Sequence, residues 1–433
     1  MKPLIQFLAV ALFALATPSW AATYTAASCS ASDVQTAINS ASDGDTVLVP
    51  NATCSSGTPA TWTSGITVSK GIYLNGQGSY VAFGSGGSLT INEDAVHGAL
   101  VENFNFKNGF TNGGCPVTFN IAASDQPSRY TSITHSDTTN SGPVTLLCIN
   151  GLGTMLVDHN TFTTTNGADE VIHILGLGSG GDNWTDDLIP GSPHMIYIET
   201  NTFQNNAGAL SSAEEAYYGA EFVFRYDTLY LEQNDIHGGD GGRWGEIYQN
   251  TYHINGSFAP SNLMQFRGGS GLYYDNHSSG TVCCSDPNPS VSIGPDCPSS
   301  DICSGSWPVA KQIGRGMNAT TYSPLYAWGN DSAIQANIGA SGGQSLVLVG
   351  TATTDSTHCS GHPGNVCDAV VTSSMPTLQR CESAADVAAG CPVSFSYTAF
   401  TYPYPLTADG LPNPGGTTSG GPSAPVNLQG TMQ

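Results

Sequence analysis

Eight ionisable residues crowd the middle of the chain: Glu221, Arg225, Asp235, His237, Asp240, Arg243, Glu246 and Arg267. Carboxylates, an imidazole and guanidinium groups in one stretch are the parts needed to move a proton and steady a developing negative charge. Elimination beside a uronate carboxylate needs a base and a positive neutraliser. His237 can serve as a base, Arg243 and Arg267 carry positive charge, and Asp235, Asp240 and Glu246 are hard oxygen ligands. Hydrolysis needs two carboxyl groups, one as acid and one as base or nucleophile. Of the ten Lys and Arg residues, five (Arg225, Arg243, Arg267, Lys311 and Arg315) lie within residues 225–315, so a chain of net charge −23 gathers its cations where an anionic sugar needs counter-charge.

Each of these residues also has a plainer role. Arg225 and Arg267 can pair with Glu221 or Asp275, His237 before two glycines suits a turn, and so does Asp240-Gly241-Gly242. Glu214-Glu215 reads as solvated charge. Trp184, Tyr217, Tyr218 and Trp244 fit a core or a sugar-stacking platform equally well.

The elements that must position them announce themselves as a repeated phrase: apolar, two variable positions, Asn or Asp, one variable position, apolar. It reads Val157-x-x-Asn160-x-Phe162, Ile198-x-x-Asn201-x-Phe203, Phe224-x-x-Asp227-x-Leu229 and Ile247-x-x-Asn250-x-Tyr252, with a weaker copy at Tyr273-x-x-Asn276. The polar positions step by 41, 26, 23 and 26 residues, the scale of stacked structural repeats. β-Branched and aromatic residues beside an Asn at a bend describe a strand entering a turn. Stacked in parallel, such strands bury a continuous apolar column and bond Asn to Asn between coils. A right-handed parallel β-helix follows, although Leu231-x-x-Asn234-x-Ile236 also fits the phrase and leaves the local register open. The stretched step from Gly176 to Pro193 and the segment from Cys283 to Cys303 are the long insertions, and loops of this kind build the groove of a solenoid.

Residues 1–21 combine Lys2, an apolar run from Leu4 to Ala16 and Ser19-Trp20-Ala21, which reads as a secretory signal peptide. No later stretch approaches the length of a membrane span. All twelve cysteines follow the signal, an even number that suits an oxidising compartment. Pairing of sequence neighbours gives Cys29 with Cys54, Cys115 with Cys148, Cys359 with Cys367 and Cys381 with Cys391. The negative charge excludes nucleic acid as a partner.

Ser32 to Ala41 places apolar residues at 34, 37, 38 and 41, one face of a helix with Ser32 as N-cap. The helix covers the first coil, whose strand is Thr46-Val47-Leu48-Val49-Pro50. With "ITVSKGIYLNGQG" over 66–78, this opening resembles the pectate-lyase-like right-handed β-helix superfamily, well over residues 32–80 and through the repeats to about 330. That superfamily holds polysaccharide lyases, polygalacturonase-type hydrolases and non-enzymatic surface proteins. The resemblance implies a fold and leaves the reaction open. By residue type and region only, since no complete lyase motif is present, it implies Arg243 or Arg267 as base or carboxylate clamp, with His237 as the alternative base, and Asp235, Asp240 and Glu246 as holders of Ca2+; the hydrolases' paired Asp motif and Arg-x-Lys are missing too.

The sequence therefore predicts an all-β, secreted, monomeric right-handed parallel β-helix over residues 22–395, with a disulfide-braced C-terminal cover over 352–395 and a disordered Pro, Gly and Ser tail over 396–433. Its expected partner is an extracellular polysaccharide, cleaved by β-elimination of an acidic glycan. Glycoside hydrolysis and a non-catalytic adhesin or matrix role are the alternatives.

Overall fold

The computed structural model describes residues 21–93, 97–107, 114–121, 127–137, 145–164, 170–176, 189–206, 212–236, 241–253, 263–266, 268–279, 291–293, 323–335, 338–340, 369–380, 385–386 and 392–415. Its main ladders are parallel, and each joins a strand to its counterpart one coil away, the wiring of a parallel β-solenoid. A middle coil has a front strand, a tight corner, a short side strand, a loop and a rear strand. Successive front strands are Met155–Asp158, Ile196–Glu199, Glu221–Arg225, Gly242–Tyr248, Gly269–Tyr274 and Leu325–Trp328. Side strands include Thr161–Thr164, Thr202–Asn205, Thr228–Tyr230 and Thr251–His253. The rear strands form a ten-stranded sheet that includes Glu170–Leu175, Ser212–Tyr217, Gln233–Ile236 and Met264–Phe266.

The repeated Asn marks the corner. Asn160, Asn201, Asp227, Asn250, Asn276 and Asn330 stack there, all buried. Each backbone N–H donates to the side-chain oxygen one coil on, from Asn160 to Asn201 at 3.0 Å, Asn201 to Asp227 at 2.6 Å, Asp227 to Asn250 at 3.0 Å, Asn250 to Asn276 at 3.2 Å and Asn276 to Asn330 at 3.0 Å. The preceding residues, His159, Thr200, Tyr226, Gln249, Asp275 and Gly329, all have φ between 50° and 65°. This left-handed geometry costs roughly 1–3 kcal/mol for a side chain such as Thr200, and the ladder's buried hydrogen bonds offset it. Asn234 does not compete for the corner. It lies on a rear strand facing inward, donates to Glu214 Oε2 at 2.5 Å and accepts from the Tyr252 hydroxyl at 2.6 Å.

Inside the coils, Phe106, His135, Phe162, Phe203 and Phe224 stack with successive centroids 5.0–5.5 Å apart, close to the spacing of neighbouring strands. Helix α1 (Ala31–Ser40) closes the first coil with Ala31, Val34, Ala37 and Ile38. Its N-cap is Ser30, two residues before the expected Ser32, because Ser30 Oγ reaches the Asp33 N–H. The disulfides Cys29–Cys54 and Cys115–Cys148 form as expected, whereas the pairs 359/367 and 381/391 lie outside the described residues. Among the described residues no helix is long and apolar enough to cross a membrane.

Residues 392–415 form a strap along the front face. Phe395 packs on Trp244, Tyr397 on Tyr274, Phe400 and Tyr404 on Tyr197, and Tyr402 on Tyr226. Farther along, Arg129 donates to the Gly410 carbonyl at 2.8 Å, so the strap runs from late coils back towards early ones. The expected boundary at 395 thus falls inside this packed segment: aromatic residues between prolines bury what composition alone assigns to a tail.

Candidate active site

Strand alternation sends two rows of front-face side chains outward. One row is Leu156, Tyr197, Val223, Glu246, Leu272 and Tyr326; the other is Asp158, Glu199, Arg225, Tyr248, Tyr274 and Trp328. The strap covers both. Arg225, fully buried, donates from Nε to Glu199 Oε2 at 2.8 Å, from Nη1 to the Tyr248 hydroxyl at 2.9 Å and to the Phe400 carbonyl at 2.6 Å, and from Nη2 to the Thr401 carbonyl at 2.8 Å. Glu199 also accepts the Tyr404 N–H at 2.8 Å. Glu246 accepts from the Gly191 N–H at 2.7 Å, the Trp244 indole at 2.9 Å and the Tyr397 hydroxyl at 3.0 Å. Burial pushes both carboxyls above the usual carboxylate range in spite of these donors. The arrangement is a closed polar lock with its donors and acceptors already matched.

On the rear face, Cys148, His173, Glu215, Asp235 and Gln265 are register partners in successive coils. They alternate with the core residues Ile174, Ala216, Ile236 and Phe266, so they point outward. Glu170 reaches the same place: its carboxylate contacts His173 Nδ1 at 3.0 Å, accepts the Tyr217 hydroxyl at 2.9 Å and accepts a hydrogen bond from Glu215. Burial, then the charges of Glu170 and Asp235, push the Glu215 carboxyl up to about 10. Burial also acts on Glu170, but the His173, Glu215 and Tyr217 contacts outweigh it and hold that carboxyl below its usual range. Two carboxyl groups in contact thus divide into a proton holder and an anion, the signature of an acid–base centre. The His173 ring packs at a tilt against Tyr217, with centroids 4.7 Å apart. The strands of this sheet contain four carboxylates, Glu170, Glu214, Glu215 and Asp235, and no Lys or Arg.

The residues singled out in the sequence are dispersed. Asp235 joins the rear cluster. Glu246 lies outward on the front sheet beneath the strap, so Asp235 and Glu246 face away from one another and do not fit a shared Ca2+ site. Arg243 is buried and paired with Glu221 at 2.6 Å. His237, Asp240 and Arg267 lie outside the described residues. Arg225 pairs with Glu199 rather than Glu221, because register sets Arg225 beside Glu199 in the neighbouring coil. Glu214-Glu215 is not solvated charge: Glu214 points into the core and Glu215 is 6% exposed. Glu170 and His173 carry no expectation from the sequence, and Glu215 and Tyr217, read there as solvated charge and as core or sugar platform, join them in one cluster. Their signal is a polar residue at matched places in "EVIHIL" and "SAEEAY", His173 and Glu215 being 42 residues apart, one more than the ladder step from Asn160 to Asn201. Near them, the sulfurs of Cys115 and Cys148 lie within 4.8 Å of a His173 nitrogen, but the disulfide leaves no thiolate to bind a metal.

Comparison of the chain with protein-family models, with curated proteins and with solved structures finds no match to any of them.

Proposed function

We propose that this protein is an exported glycan-cleaving enzyme whose rear face works by glycoside hydrolysis, with Glu215 as proton donor and Asp235 as second carboxylate. The observation that carries the reading is Glu215: protonated against Glu170, it sits in register beside Asp235 on the next strand. Glu170 and Glu215 touch, so they form one side of the reaction rather than its two sides, which stand about 5 Å apart or more. Register partners on adjacent strands are roughly 4.8 Å apart, which suits Glu215 and Asp235 to opposite ends of a glycosidic bond. Tyr217 and His173 hold Glu170 as the anion that keeps the Glu215 proton in place.

Hydrolysis fits better than the expected elimination because three arginines among the described residues are committed to carboxylates of the front face. Arg129, Arg225 and Arg243 are paired with Asp158, Glu199 and Glu221, and the rear strands offer no positive group for a uronate. Parallel coils behind a capping helix support membership of the pectate-lyase-like superfamily, and two disulfides support export. The test is incubation with neutral and uronate-containing polysaccharides, following new reducing ends and the ultraviolet absorbance of unsaturated uronate. Reducing ends without absorbance, lost in Glu215→Gln, are expected. Absorbance in step with cleavage overturns hydrolysis in favour of elimination, and silence on every glycan favours a non-catalytic wall or matrix protein.

A further inference from the structure

One rung of the corner ladder is not an amide. At Asn160, Asn201, Asn250 and Asn276 the side-chain nitrogen does two things. It donates to the carbonyl of the third residue before the preceding rung: Tyr130, Val157, Phe224 and Ile247 respectively, at 2.9–3.1 Å. It also donates to the side-chain oxygen of the following rung, at 3.0 Å from Asn160, 3.0 Å from Asn201, 3.1 Å from Asn250 and 3.1 Å from Asn276. Asp227 keeps the rest of the pattern: its Oδ1 accepts from the Asn201 N–H and amide, and its own N–H donates to Asn250 Oδ1. Its Oδ2 stands where the others carry nitrogen. There the ladder's register supplies the Ile198 carbonyl and Asn250 Oδ1, both acceptors. Oδ2 is buried and has no donor.

We infer that Asp227 is a neutral carboxylic acid whose Oδ2–H stands in for the missing amide proton, making the coil that carries Asp235 sensitive to alkali. Ionisation would set a buried anion against two oxygen lone pairs with no partner, an arrangement far costlier than a neutral rung. The charged and titratable groups around it leave the balance on the neutral side. Arg225 on its own strand favours the anion but is neutralised by Glu199 on the preceding coil, while Glu214 on the rear strand and Tyr252 on the next side strand add no positive charge. Burial acts in the same direction.

A carboxyl held protonated in the fold binds more protons folded than unfolded, so its contribution falls as pH rises above the ordinary value of 3.8. Asp227→Asn supplies the amide directly. Thermal unfolding of wild type, Asp227→Asn and the reciprocal Asn250→Asp, each from pH 4 to 9, tests this. The Asp227→Asn transition should lie above wild type by a margin that widens with pH, about 2 °C or more at the alkaline end, and Asn250→Asp should steepen the fall. A margin that is constant or negative across the range overturns the inference. If Asn250→Asp does not fold, infrared difference spectra of wild type minus Asp227→Asn decide: the carbonyl band of an un-ionised acid at neutral pH is expected, and a carboxylate band in its place overturns it.

Discussion

The two outer faces of this solenoid treat charge in opposite ways. On the front, three arginines meet carboxylates, Arg129 with Asp158, Arg225 with Glu199 and Arg243 with Glu221, and the strap supplies the remaining donors and acceptors. On the rear, Glu170, Glu215 and Asp235 gather with His173 and Tyr217 and, among the described residues, with no Lys or Arg, so the electrostatic conflict is resolved by a proton on Glu215 rather than by a counter-ion. Charge of equal density can be a fastening or, in the function proposed for the rear face, an acid–base centre. Which it becomes depends on whether opposite charges arrive at the same rung.

Removing the fastening should have the largest effect. Arg225→Ala leaves Glu199 buried and unpaired and detaches the Phe400 and Thr401 carbonyls, so it should cost about 3–5 kcal/mol in chemical denaturation and admit protease to residues 392–415. A loss below about 1 kcal/mol would mean that the aromatic contacts alone seal the front. On the rear, Glu215→Gln should lower glycan cleavage about 100-fold or more with an unchanged or higher thermal transition, because a group neutral in the fold is replaced by a neutral one. Stability lost in step with activity would make the rear cluster a fastening too.

The rear centre should also declare itself in its pH profile. Activity should rise as Glu170 ionises, below the usual carboxylate range, and fall as Glu215 loses its proton near 10, the two limbs belonging to the pair as a whole. Tyr217→Phe removes a hydrogen bond to the ionised Glu170; its acid limb should move to higher pH, with a loss of roughly tenfold. An unmoved limb would separate Tyr217 from the acid–base centre. The smallest effect is expected at the front edge, where half-exposed His159 touches Asp158 at 2.8 Å. The Asp158 hydrogen bond raises the imidazole above its ordinary 6.5. Its contribution is therefore full below that value and lost as pH rises through the folded one, so His159→Ala should destabilise by less than about 1 kcal/mol at pH 5 and not at pH 9.

Much of the architecture was readable because it is written in short-range pattern. The phrase around Asn160, Asn201, Asp227 and Asn250 marks a corner at each of these places, although Asn234 fits it too and lies on a strand, and the apolar positions of 34, 37 and 38 mark a helix face without reference to the rest of the chain. Cys29 and Cys54 were legible for the same reason. The site was far less so. Asp235 was singled out for its type, yet its partners Glu170, His173 and Glu215 come from other coils, and Glu246, only eleven residues away, points out of a different sheet. The strap escaped notice because Pro- and Gly-containing sequence looks alike in a linker and in a segment pinned by Tyr397, Phe400, Tyr402 and Tyr404.

By itself the sequence determined that this chain coils, where each coil turns and how its first coil is capped, since periodic apolar burial and a hydrogen-bonding corner residue act over a few residues at a time. Only the tertiary structure decided which charges meet. Coil lengths of 41, 26 and 23 residues between rungs set the register, and register alone places Arg225 on Glu199 and Glu215 beside Asp235. Electrostatic energy depends on distances of a few ångströms across coils, and no stretch of sequence contains those distances.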